Sequence, residues 1–66
     1  MLIYTNIEGK KEAVSKNMIV RLSRREDYIF NVPRVLTIIH LTNNEQLRSI
    51  DEMDELINHL KINKNR

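Results

Sequence analysis

The sequence predicts an α+β domain: a small, mostly antiparallel sheet of three to five strands, with one C-terminal amphipathic helix packed on one face. Three observations carry this. Short runs rich in β-branched and aromatic residues recur over residues 2–7, 28–32 and 35–42. Turn-forming pairs, Glu8-Gly9 and Asn43-Asn44, follow two of those runs. Beyond Ser49, apolar residues recur at helical spacing.

The first strand spans residues 2–7. Gly9, the single glycine, is free to take the positive φ of a two-residue hairpin turn, so residues 10–14 return as a second strand. A looser turn with residues 10–17 irregular is the alternative. Residues 18–22 read as a short strand, and the polar stretch Ser23-Arg24-Arg25-Glu26-Asp27 as a turn. Residues 28–32 are apolar and end at Pro33, which holds Val32 extended and closes that strand. A short helix over residues 24–30 competes with this reading.

Residues 35–42 carry apolar side chains on both faces, as a central strand does. A type I′ turn at Asn43-Asn44 would set Thr42 opposite Glu45 and His40 opposite Leu47. Ser49-Ile50-Asp51-Glu52 has the form of a capping box. Ile50, Met53, Leu56, Ile57 and Leu60 then make one stripe of a helix over residues 50–61. Acids crowd its start and Lys61 and Lys64 follow its end, as the helix dipole favours.

A chain of 66 residues is one small domain, read as residues 1–62 with a polar, frayed tail over 63–66. It holds no cysteine, so neither disulfides nor thiolate zinc sites can staple so small a core. Oligomerisation or close packing is the remaining support, and a homodimer is expected on that ground. No apolar run approaches the ~18 residues of a membrane span, and the first residues lack a basic, then apolar, export signal. A cytoplasmic location is the default expectation.

Catalytic and metal chemistry find little to work with. His40 and His59 have no partner at a metal-ligand spacing, and the acidic run around Met53 suits a helix start better than paired catalytic carboxylates. Ser15, Ser23 and Ser49 have no histidine or lysine at a recognisable spacing. One glycine cannot build a phosphate loop. No enzyme, metal or cofactor is therefore expected. Net charge is +2 and the pI 9.2, which permits an anionic partner. Arg21, Arg24, Arg25 and Arg34 form a basic cluster in the first half. Arg24 and Arg25 on a turn would hold phosphates while Tyr28 or Phe30 stacks on a base. The alternative is a solvated turn in which the arginines pair with Glu26 and Asp27.

The opening MLIYTNIEGKK, the pair Met18-Ile19, the strand-turn TIIHLTNNE and the helix start SIDEM together resemble the small FlbD/SwrD-type flagellar proteins. The likeness covers both ends of the chain and needs an insertion between Val20 and Pro33; Glu8-Gly9 and Asn43-Asn44 stand where that family has Asn-Gly. The second half is also similar to the hairpin and helix of LytTR-type DNA-binding domains, without room for their basic DNA-contacting segment. The expected function is that of a small non-catalytic regulatory or inhibitory protein of bacterial or phage type. It would bind another protein through a strand edge or through the sheet face opposite the helix. The alternative is a nucleic-acid binder using Arg21, Arg24, Arg25 and Arg34.

Overall fold

The computed structural model describes residues 1–61. The expectations for the 63–66 tail and Lys64, and the domain limit at residue 62, lie outside them. The fold is α+β. Strands β1 (Leu2–Thr5) and β2 (Lys11–Val14) form one antiparallel hairpin. Strands β3 (Ile19–Ile29), β4 (Val32–Leu41) and β5 (Gln46–Ser49) form an antiparallel sheet in that order, followed by helix α1 (Met53–Lys61). An isolated bridge between Asn6 and Ser49, with the Ile50 N–H donating to the Thr5 carbonyl at 3.0 Å, joins the two sheets.

The first turn is one residue longer than the two-residue form expected. Asn6 Oδ1 accepts from the amides of Glu8 (2.9 Å) and Lys10 (3.0 Å), which starts the turn early. The Gly9 N–H then donates to the Asn6 carbonyl, and the Asn6 N–H to that of Lys10. Gly9, at φ +86°, takes the left-handed position of a three-residue loop. A Cβ there would meet no atom within 4 Å, so the requirement is backbone angle rather than space.

The middle of the chain differs most from expectation. Ser23 to Asp27 is neither a turn nor part of a helix but the heart of β3, paired residue by residue with β4. The stretch is polar because this ribbon is exposed; it has no glycine, proline or asparagine to bend it. The reversal falls instead at Phe30 (φ +52°) and Asn31 (φ +65°), the two positive angles of a type I′ turn. Val32 accordingly opens β4 rather than closing a strand. Pro33 lies where β5 is absent, so it interrupts no ladder on that side. A register shift between Ile19 and Arg21 leaves Val20 as the extra residue, exposed.

The β4–β5 loop is also one residue longer than expected. Asn44, at φ +70°, ends a three-residue loop, while Asn43 Oδ1 accepts the Glu45 N–H at 3.0 Å. His40 therefore pairs with Gln46 and Ile39 with Leu47, a one-residue correction to the expected register. That slip exchanges the faces of β5. It carries Leu47 onto the core beside Ile39 and Arg48 onto the opposite face beside Ile38.

The capping box does not form. Ser49 stays in β5, fully buried, and its Oγ accepts the Asp51 N–H at 3.0 Å. The helix begins three residues later than expected, with the Leu56 N–H bonded to the Glu52 carbonyl. A local Ser–Asp turn has outcompeted the first helical turn. Leu56 is buried, and Met53, Ile57 and Leu60 are half-buried along the expected stripe. The core consists of Leu2, Tyr4, Ile39, Leu41 and Leu56, with Val14, Ile19, Leu22, Leu47 and Leu60 packed against it. Helix α1 packs against β1 and β3. Leu36 and Ile38, on the other face of β4, are buried as well, as befits a central strand. Among the described residues, no helix is long and apolar enough to cross a membrane.

Candidate functional site

Directly opposed residues of antiparallel strands share a face, so the register assigns each arginine its side. Arg21 stands opposite His40, and Arg25 opposite Leu36. Arg34 stands opposite Asp27, and Arg48 opposite Ile38. All four occupy the face away from the Ile39–Leu41 core. Arg24, opposite Thr37, lies on the other face, where its Nη2 is 3.6 Å from Asp54 Oδ1 of α1. Arg24 and Arg25 thus cannot act together on one ligand as a turn would have allowed. Successive residues of a strand point to opposite sides. Tyr28, opposite Pro33, shares Arg24's face and is exposed, so it does not join the other arginines either.

Arg48 is not among the arginines expected from the sequence; the expected register sets it opposite Ile39, whereas it stands opposite Ile38. The sequence reading also left Ser23 without a partner, whereas Ser23 Oγ lies 2.8 Å from His40 Nε2 across β3 and β4. Loss of hydration, followed by the nearby Arg21 and Arg25 guanidinium groups, pulls the His40 pKa below its ordinary value. The imidazole is therefore neutral at neutral pH. Among the described residues, no carboxylate is hydrogen-bonded to His40, so the orienting third member of a nucleophilic triad is absent. Nor do three His, Cys, Asp or Glu side chains converge among the described residues.

A second surface is apolar. Eleven residues of β3 extend for about 36 Å, and the molecule measures 42 × 23 × 19 Å. The β3–β4 ribbon projects beyond β5, which pairs only with Thr37 to His40. Over residues 32–36 the outer edge of β4 has no strand partner among the described residues. Tyr28, Phe30, Val32 and Val35 are exposed along this arm, Phe30 at 84%. Between the arm and the tip of the first hairpin runs a groove lined by Ile7, Gly9, Ile29, Val32 and Ile50, with Glu8 and Arg34 also on its walls.

The sheet face opposite the helix was one expected protein contact. Of its apolar members, Leu36 and Ile38 are buried, with Arg25, Ser23 and Arg48 opposite them, whereas Val32, opposite Ile29 near the end of the arm, is exposed and lines the groove. Compared with protein-family models, curated proteins and solved structures, the chain shows no match to any of them.

Proposed function

We propose that this is a small, non-catalytic regulatory or inhibitory protein that binds another protein by accepting an extended segment at the open edge of β4. The observation that carries the reading is Phe30. It exposes nearly its whole ring at the tip of the arm, in a left-handed conformation where asparagine or glycine would be unstrained. Exposure leaves roughly 1.5–3 kcal/mol of burial energy unused and the backbone costs ~1 kcal/mol more. The burial energy is gained when a partner covers the ring, while the backbone cost is carried in both the free and the bound state. The edge of β3 is a poorer acceptor, since Arg21, Arg24, Arg25, Glu26 and Asp27 line it with charge. The β4 edge instead offers Val32, which lines the apolar groove, and Val35 on the other face beside Tyr28 and Pro33. Strand addition there supplies main-chain hydrogen bonds, and the groove selects alternate side chains. The resemblance to FlbD/SwrD-type proteins supports a bacterial, cytoplasmic setting for such a role.

The test uses peptides selected from a random displayed library against the intact chain. Selected peptides should alternate apolar and polar residues and should slow hydrogen exchange in residues 32–36. They should lose binding to a Phe30→Ser, Val35→Lys variant whose circular dichroism is unchanged. Binding that ignores both substitutions would refute the edge, and self-association through the same residues would make the occupant a second copy of the chain.

A further inference from the structure

We infer that the arginine-bearing sheet face, with Arg21, Arg25 and Arg48 set around the Ser23–His40 contact, binds the phosphodiester backbone of duplex nucleic acid. These residues lie at the β5 end of the sheet face whose far end, at Ile29, Val32 and Arg34, lines the groove, so they are distinct from the residues of the β4 edge and of opposite chemistry. Arg21 and Arg25 are four residues apart on β3, a spacing of about 13 Å, and Arg48 lies two strands away, about 10 Å across the sheet. Positive charge spread over such a plane, without a closed pocket, matches a polyanion lying along the sheet better than a single small ion.

Among the described residues, the one contact within 4 Å between a basic group and a carboxylate is Arg24–Asp54, on the other face. Arg21, Arg25 and Arg48 are exposed and have no such partner there. Arg34 is left out of the set because Asp27 stands opposite it. The acids Asp54 and Glu55 sit in the first turn of α1, and the helix packs on the core face, so a net charge of only +2 is divided into two unlike sides. Between the guanidinium groups, Ser23, His40 and Gln46 add neutral polar groups of the kind that accompany arginine at phosphates.

Aromatic rings decide between duplex and single strand. Tyr28 points to the other face and Phe30 is in the terminal turn, so this face has no ring on which an unpaired base can stack. Backbone contact with a duplex needs none. His40 should respond to binding. Arg21 and Arg25 from β3, with Glu45 and Arg48 at β5, are the charged groups around it. A phosphate seated among the arginines offsets their repulsion of the imidazolium, so binding takes up a proton and strengthens as pH falls.

The test is fluorescence anisotropy with a labelled duplex of about 20 base pairs, at roughly 50 to 200 mM salt. Three phosphate contacts give a slope of log K against log salt of about −2.7, or about a 40-fold loss across that range. Arg21→Ala, Arg25→Ala and Arg48→Ala should each flatten the slope by about one unit. Arg24→Ala should leave it unchanged, and duplex should raise the His40 pKa seen by NMR. The inference is overturned by no binding at the lowest salt, or by an effect of Arg24→Ala equal to that of Arg25→Ala. Equal affinity for a single strand would also overturn it, as would competition by inorganic phosphate at matched phosphate concentration.

Discussion

The carboxylate of Asp51 accepts the backbone N–H of Thr5 at 2.7 Å, tying the first strand to the segment that leads into the helix, 46 residues away. Around it the Asp51 N–H donates to Ser49 Oγ and the Asp51 carbonyl accepts from Thr37 Oγ1 at 2.8 Å. Thr5, Thr37 and Ser49 are the buried polar residues of the described chain, and each has one of these bonds. Asp51→Ala orphans the Thr5 amide and should cost about 1–3 kcal/mol. Urea unfolding should show a lower midpoint with an unchanged slope. Ser49→Ala should cost roughly 1 kcal/mol by the same measurement, through loss of the turn rather than of a helix cap.

Tyr4 should titrate at about 12, raised from 10.0 first by burial and then by its 2.8 Å hydrogen bond to Glu12 and that group's charge. The folded value lies above the unfolded one. The stabilisation is therefore complete below pH 10 and is lost as pH rises from there through about 12. Tyrosinate absorbance in a Tyr28→Phe background isolates this group. Glu12→Gln should bring the value down only part of the way, since burial remains. A return to the free value would make Glu12 the sole cause.

For His40 the sign is opposite. Its folded pKa lies below the unfolded 6.5, so the unfolded chain binds the proton first. The contribution is present above about pH 6.5 and fades as pH falls through the lowered folded value. Arg21→Ala and Arg25→Ala should each move the imidazole resonance toward a higher pKa. No movement in either variant would leave loss of hydration as the only cause.

The parts of this fold that local chemistry dictates were readable: the central strand, the helix stripe and the first hairpin. The two loop lengths departed from expectation for one reason. Glu8-Gly9 and Asn43-Asn44 suggest two-residue loops, but the Asn6 side chain opens the first turn one residue earlier, and the second loop closes on Leu41 and Glu45, with Asn43 Oδ1 holding the Glu45 amide. At the second loop this reversed the faces of β5 and hid Arg48 behind Ile39. Ser23 and His40 likewise meet only once the polar run from Ser23 to Asp27 is recognised as strand. That run has the composition of a turn without the residues that make one. At the actual turn, Phe30 is the least probable residue for its backbone angle.

That mismatch yields the sharpest test of whether stability and binding compete in this chain. Replacing Phe30 by Asn and Asn31 by Gly installs the pair most at ease in a type I′ turn, removing left-handed strain of ~1 kcal/mol or more. The thermal midpoint should rise by several degrees for a domain of this size. The same change deletes the exposed ring at the end of the arm, so affinity for edge-binding peptides should fall while duplex binding at the arginine face persists. A stabilised variant that still binds those peptides fully would show that Phe30 contributes nothing to docking. A variant that loses stability would show that its ring already packs within the fold.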